Sequence, residues 1–360
     1  MIVGINLCGA ITDEAKQTDN LIISYFNTIA IKQPGYSFVF ITDDGFKNSA
    51  ANIKNTSIIR IDPRPKNIFF RKFRFDRKLE KIVKKKQIDL LISLGEVCSL
   101  RSEIPQLLLI NNLPVHKRAA RQFLQKAKRI MTISNFLKKE IVNRYKLAEE
   151  KIEVIYQSID KRYAPVSFEE KEKTKQKYTE GKEYFLYAGE IGPDKNLINL
   201  LKAFSFFKKR QKSNMQLIVM TNNLTSSEFQ ESLQTYKYRE EVKLLIDLPI
   251  EEQTKILASA YAFVSPSLYE VFPENIIAAM HCEVPVIAND MEVIKEICEN
   301  SVVYTNTNNY EAIADKMMLL FKDEKKRNEL IAKGIKQALQ YSDDKTADLL
   351  WQSIIKTTPA

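Results

Sequence analysis

The feature that most constrains this chain is an alternation that runs its whole length: short Ile, Leu and Val runs, bounded by turn residues, each give way to a longer stretch with helical spacing. Strands apolar on both faces must be covered on both faces, which calls for parallel strands joined by crossover helices. The series starts at Ile2–Cys8, with a helix from Asp13 to Lys32 and strands at Ser37–Thr42 and Ser57–Ile61. It continues through a basic helix near Arg71–Lys86, strands at Asp89–Leu94, Gln106–Asn111 and Arg129–Ser134, a helix from Asn135 to Tyr145 and a strand at Ile152–Tyr156. Around residues 160–182 the rhythm breaks: Lys161, Arg162, Glu169, Glu170, Lys171, Glu172 and Lys173 crowd together with little apolar periodicity. It restarts at Tyr184–Ala188 and runs through strands at Met215–Met220, Val242–Ile246, Ala262–Ser265, Val284–Ala288 and Val302–Tyr304 to three closing helices. The expected architecture is α/β, with two doubly wound domains. They span 1–165 and 183–340, joined by a linker at 166–182, and a C-terminal helix over 341–360 crosses back to the first. Ligands of such sheets bind beyond the carboxyl ends of the strands, so the cleft between the domains is the expected active site.

Charge and cysteine usage narrow the classes. With 55 Lys and Arg against 45 Asp and Glu, the net charge is +10, which favours anionic partners. No homeodomain, zinc-finger, RRM or KH pattern accompanies it, so no nucleic-acid partner is expected. Cys8, Cys98, Cys282 and Cys298 are scattered without CxxC spacing and there are two histidines, His116 and His281, so no metal site is expected. The same cysteines suit a reduced, cytoplasmic chain. The N-terminus is apolar but short, lacks a basic start and runs into Asp13 and Glu14; it reads as a first strand, not a signal peptide. No window approaches 18 uninterrupted apolar residues, so any membrane contact is expected to be peripheral.

Two strand ends carry the chemistry. The segment from Tyr187 to Leu197 joins a strand to a helix through Gly189 and Gly192, with Lys195 at the helix entrance. An ammonium and unpaired helix amides converge there, a pattern that suits a diphosphate, although GxxG is neither the Walker nor the Rossmann spacing. The segment Pro266–Met280 gives strand, carboxylate and helix start in that order. Glu270 precedes the helix, where its carboxylate can accept hydrogen bonds from sugar hydroxyls, while amides near Asn275 and Ile276 can hold phosphate.

These stretches, together with Arg129–Phe136, Val154–Tyr156 and the Val284-Pro285-Val286-Ile287-Ala288 run, resemble the retaining GT-B glycosyltransferases of glycosyltransferase family 4 (group 1), with two Rossmann-like domains. The resemblance implies metal-independent transfer of a sugar from a nucleotide-diphosphate donor to a glycan or lipid-linked acceptor, as in polysaccharide synthesis. It implies no cofactor beyond the nucleotide sugar itself. Lys195 then falls at the diphosphate-neutralising position and Glu270 at the donor-sugar glutamate. Asn275 and Ile276 start the helix beside the phosphates, Leu248 lies in the base-lining loop, and Gly9, Gly189 and Phe272 border the donor. Asn111 stands where many members have a histidine, and can bond a sugar hydroxyl but not carry a proton. Ala278 stands where the family's second glutamate grips ribose; either Glu274, one turn earlier on the same face, partly substitutes, or ribose is held more weakly. A second reading keeps the fold and drops turnover: a catalytically weak sugar-nucleotide-binding or scaffolding subunit.

From Arg64 to Lys86 eleven basic residues face two acidic ones. On a helix, Phe75, Leu79, Ile82 and Val83 form a core-facing stripe, and Phe69, Phe70 and Phe73 fall largely off it. Aromatics beside lysines and arginines suit an anionic membrane surface, with a solvated basic helix as the alternative. Arg71, Lys72, Phe73 and Arg74 are the expected contacts.

Overall fold

The computed structural model describes residues 1–8, 13–42, 53–61, 68–95, 98–114, 117–223 and 227–358. The chain divides into two compact units, one formed by Met1–Ser158 with Tyr341–Ala360 and the other by Ile159–Gln340.

The first unit contains β1 (Ile2–Asn6), α1 (Asp13–Lys32), β2 (Ser37–Thr42), β3 (Thr56–Arg60), α2 (Ile68–Lys85), β4 (Leu90–Leu94), β5 (Gln106–Ile110), α3 (Lys117–Lys126), β6 (Arg129–Thr132), α4 (Asn135–Tyr145) and β7 (Ile152–Val154). Its seven strands are ordered β3-β2-β1-β4-β5-β6-β7 and every pair is parallel. The order reverses between β1 and β4, the outcome of winding crossover helices first to one side and then to the other. Strand β6 is shorter than the sequence suggests because Ser134 leaves the sheet to cap α4, its hydroxyl accepting from the Leu137 amide at 3.1 Å. Helix α3 has no counterpart among the expected elements. Its stripe of Ala120, Phe123 and Leu124 is buried but spans barely more than one turn amid lysines and arginines.

The second unit contains α5 (Phe168–Thr179), β8 (Tyr184–Ala188), α6 (Leu197–Gln211), β9 (Gln216–Thr221), α7 (Ser227–Gln234), β10 (Val242–Ile246), α8 (Ile250–Ala258), β11 (Ala262–Ser265), α9 (Glu274–His281), β12 (Val286–Asn289), α10 (Glu292–Cys298), β13 (Val303–Thr305), α11 (Tyr310–Lys322) and α12 (Glu324–Ala338). Its six parallel strands run β10-β9-β8-β11-β12-β13, so the order reverses between β8 and β11. Phe185, Phe204 and Phe207, all fully buried, fill the space between the sheet and α6. Gly334 lets α12 sit close on α9, since a Cβ there would lie 3.2 Å from Met280 Cγ. Within residues 166–182, expected as a linker, Phe168–Thr179 form α5 of this unit. Ser167 caps it, accepting from the Glu170 amide, and ion pairs Lys255–Glu170 (2.8 Å) and Lys177–Glu252 (2.7 Å) tie it to α8. The helix buries Thr174, Thr179 and the stem of Lys175 where leucines would give an apolar period.

The chain then returns to the first unit with α13 (Asp343–Thr357). Ala347, Leu350 and Ile354 join the core formed by Phe26, Phe38 and Phe40. Trp351 packs edge-on against Tyr36 with ring centroids 4.7 Å apart. Buried Asp343 is the polar anchor: the Ser24 hydroxyl donates to Oδ2 at 3.1 Å and the Ser158 hydroxyl to Oδ1.

Candidate functional site

The reversal point of the second sheet lies between β8 and β11, and the loops leaving those two strands hold the pair that matters. Lys195 Nζ donates to Glu270 Oε1 at 3.2 Å, and both side chains are about four-fifths buried. Lys195 ends a short 3₁₀ turn, Pro193–Lys195, after β8. Glu270 sits in the Pro266–Pro273 loop after β11. The Leu268 amide donates to the Asp194 carbonyl at 2.7 Å and fixes one loop on the other.

Asparagines stitch the rim. Asn196, at φ +57°, adopts the left-handed conformation that asparagine tolerates better than most residues. Its Nδ2 donates to the Thr307 carbonyl at 2.8 Å and to the Pro266 carbonyl at 3.3 Å. Asn289 Nδ2 donates to the Ser267 carbonyl at 2.9 Å, and Asn275 Nδ2 to the Ala188 carbonyl at 3.0 Å. The loops after β8, β11, β12 and β13 are thus held as one rim. The sequence gives no signal for these ties, because each joins residues 22 to 111 positions apart.

Gly189 has φ +148°, and a Cβ there would lie 3.0 Å from the Tyr187 hydroxyl and 3.6 Å from Asn275 Nδ2. Only glycine meets both demands. Tyr187 donates its hydroxyl to the Glu190 carbonyl, and burial, reinforced by Glu270, Asp194 and Glu190, pushes its pKa far above the usual tyrosine range. At Lys195 burial pulls the pKa down, but the charge and hydrogen bond of Glu270, then Asp194 and Glu190, outweigh it and hold the ammonium above an ordinary lysine. The site therefore presents one firmly protonated cation against a carboxylate.

Helix amides complete it. Among the described residues the Asn275 amide has no backbone partner, nor do those of Leu197, Ile198 and Asn199 in the first turn of α6. Ile276 departs from its expected role: its amide donates to the Pro273 carbonyl at 3.1 Å, because α9 opens with a tight turn, and its side chain is buried. Phe272 is buried too and packs, whereas Glu274 is exposed. Leu248 follows β10, half-buried, with its carbonyl accepting from Gln253 Nε2 at 2.7 Å. Asn111, half-buried after β5, belongs to the first unit. Gly9 and His116 lie outside the described residues. The four cysteines are buried and unbridged, and burial pushes Cys98 and Cys282 up to about 12, so neither is a thiolate at neutral pH. Among the described residues no group of three His, Cys, Asp or Glu side chains is placed to hold a metal ion.

Each unit is a doubly wound α/β domain, and the second sets a lysine and a glutamate at its sheet reversal, where open parallel sheets take their ligands. The model for glycosyl transferases group 1 matches residues 168–337, and that for glycosyltransferase family 4 matches residues 30–163. Each takes in most of one unit, and the chain belongs to the group 1, family 4 glycosyltransferases. The chain is 28% identical over 228 residues to O-antigen chain mannosyltransferase B of Escherichia coli, covering 63% of this chain and 60% of that protein. It is 29% identical over 184 residues to O-antigen chain mannosyltransferase RfbU of Salmonella typhimurium, covering 51% of this chain and 48% of that one. The matched part is thus about half to three-fifths of those relatives' length. In fold, the chain is similar to Anabaena HepE in complex with UDP and glucose, with a TM-score of 0.80 over 99% of this chain and 100% of that one at 14% identity. Among the described residues no helix is long and apolar enough to cross a membrane.

Proposed function

We propose that this chain transfers a sugar from a nucleoside-diphosphate sugar to a glycan or lipid-linked acceptor, with retained configuration and without a metal, in cell-surface polysaccharide synthesis. The observation that carries the reading is the Lys195–Glu270 pair at the reversal of a parallel sheet. Lys195 offsets the charge that grows on the leaving diphosphate, and the free amides of Asn275 and the α6 entrance add partial positive charge. Glu270 turns from its lysine to accept hydrogen bonds from donor-sugar hydroxyls as phosphate takes the ammonium. Asn111 contributes a hydroxyl contact, an assignment that rests on family resemblance. The relatives' names support a glycan acceptor, and the UDP in the HepE complex supports a nucleotide donor.

The basic face of α2 adds a location. Leu79 and Val83 are buried with Phe75 and Ile82 packed beside them, leaving Arg77, Lys78, Lys81 and Lys85 exposed. That face suits an anionic membrane surface carrying a lipid-linked acceptor.

A thermal-shift screen of UDP-, GDP- and ADP-sugars tests the reading. A true donor at 100 times its dissociation constant stabilises by about 2.7 kcal/mol. The product's anomeric configuration, read by NMR with and without EDTA, tests retention and metal independence. Absence of any shift, or transfer that stops in EDTA, overturns the corresponding part.

A further inference from the structure

In helix α6, Leu197, Leu200, Phe204 and Phe207 are buried in the core, and Ile198 and Phe206, half-buried, pack against that core at the border of the flank that carries Lys202, Ser205 and Lys209. That flank, the end of α7 with the segment after it, and Tyr310 at the start of α11 line a groove of about 760 Å³ on the second unit. Its size is that of a ligand site.

The groove is lined by Phe206, Tyr236, Tyr238 and Tyr310, with no carboxylate among its lining residues. The rings are held in place. Phe206 meets Tyr310 edge-on at 6.2 Å, and Tyr236 lies 6.2 Å from Tyr238. The Ser205 hydroxyl donates to Tyr236 Oη at 2.9 Å, and that hydroxyl donates to the Leu201 carbonyl at 2.7 Å. Around them stand Lys202, Lys209 and Lys237. Among the described residues none of the three has a carboxylate within ion-pair distance, although neighbouring Lys208 and Arg239 are engaged with Glu241 and Glu240. Arg210 lies over the Phe206 ring at 4.4 Å and Lys237 over the Tyr238 ring at 5.4 Å, while Lys202 and Lys209 stand beside the rings. Cations next to aromatic rings complement a ligand that is both anionic and rich in C–H faces and hydroxyls. Sugar rings stack on aromatic faces through their C–H bonds, and acidic or phosphorylated sugars also supply the charge.

We infer that this groove binds an anionic oligosaccharide, a segment of the glycan on which the enzyme works, apart from the Lys195–Glu270 site. The choice of a saccharide over other anions rests on the glycan-transfer reading. A groove of this kind would keep a growing chain attached between transfers.

The test is calorimetry on the full chain with four probes: tetragalacturonate, maltotetraose, inorganic tripolyphosphate and phosphatidylglycerol vesicles. Tetragalacturonate is expected to bind about tenfold more tightly than maltotetraose, and to lose about tenfold in both K202A/K209A and Tyr238→Ala. Methyl NMR of Ile198 in the unaltered chain should shift on its addition, which keeps the test decisive if a variant fails to fold. Glu270→Gln should leave this binding intact, and the groove variants should keep the UDP thermal shift, so either site can fail alone. Tripolyphosphate or vesicles binding as tightly with Tyr238→Ala silent, equal binding of maltotetraose, or an unmoved Ile198 signal would each overturn the inference.

Discussion

Lys195 and Glu270, 75 residues apart in sequence, meet at 3.2 Å where the strand order of the second sheet reverses. With no ligand each charge satisfies the other. On the proposed reading a diphosphate would take the ammonium and sugar hydroxyls would donate to the carboxylate, so that binding would exchange an ion pair for two sets of hydrogen bonds without stranding either charge.

Glu270→Gln should leave the fold and nucleotide affinity nearly unchanged while kcat falls by about 10²–10³, the scale of one transition-state contact. The amide accepts weaker hydrogen bonds from the sugar as it departs. Steady-state kinetics with the identified donor, alongside UDP titration, separates this from a binding defect. A near-normal kcat would remove Glu270 from the reaction.

Lys195→Ala should weaken nucleoside-diphosphate binding by about 1.5–3 kcal/mol, the range for a charged hydrogen bond. The pH dependence has a definite sign. Lys195 is raised in the folded chain, so the stability it contributes is complete below the ordinary lysine pKa of about 10.4 and is lost as pH rises through the higher folded value. In Glu270→Gln, burial's downward pull is opposed only by Asp194 and Glu190, so the lysine should titrate at lower pH. Nitrogen-15 NMR of the lysine ammonium reads this directly.

Ala278→Glu should not restore a ribose contact. The Ala278 side chain is 1% exposed inside α9, and a carboxylate there has no room to reach water. The expected cost is about 3 kcal/mol or more, the scale of an uncompensated buried charge. Glu274 is exposed on the same helix, and Glu274→Ala should weaken UDP binding at unchanged melting temperature. Calorimetric Tm and UDP titration of the two variants give opposite patterns.

Most of the architecture is legible because parallel strands must be apolar on both faces: β2, β8, β10 and β11 fall where the Ile, Leu and Val runs begin and end. Helix α5 is not legible, since its contacts are ion pairs to Glu252 and Lys255 more than 70 residues on. At the site, Lys195 and Glu270 stand out separately as a cation before a helix and a carboxylate after a strand. Their pairing, the asparagine ties around them and the occupied amide of Ile276 depend on loop geometry that no local spacing encodes. The groove on α6 escapes for another reason: its lining comes from α6, the end of α7 with the segment after it, and Tyr310, which only the fold brings together.

Asp343→Ala should loosen the C-terminal helix. Its carboxylate takes the Ser24 and Ser158 hydroxyls, and Ser158 in turn meets Tyr25 Oη through both its amide, at 2.9 Å, and its hydroxyl, at 3.0 Å. Removing the buried acceptor leaves those donors unsatisfied, at about 1–3 kcal/mol. Hydrogen exchange should quicken across residues 343–357 before the rest of the first unit. Uniform exchange at wild-type rates would show that Leu350, Trp351 and Ile354 hold the helix unaided.

The basic face of α2 gives the last prediction. Lys78, Lys81 and Lys85 are exposed on the side away from the stripe of Leu79 and Val83, so reversing their charge removes no core contact. Each basic residue near an anionic bilayer contributes about 1 kcal/mol, and that attraction is screened over about 10 Å at 0.1 M salt. K78E/K81E should therefore cut co-sedimentation with phosphatidylglycerol vesicles by more than tenfold, about 2 kcal/mol or more, at unchanged Tm. The side chains of Arg71, Lys72, Phe73 and Arg74, the contacts expected from the sequence, lie outside the described residues. On the sequence expectation alone, Phe73→Ser should reduce the bound fraction even at low salt, because insertion of an aromatic ring is not screened. Equal recovery with neutral and anionic vesicles, or indifference to both variants, would make this an ordinary solvated helix and leave the lipid-linked acceptor without a docking face.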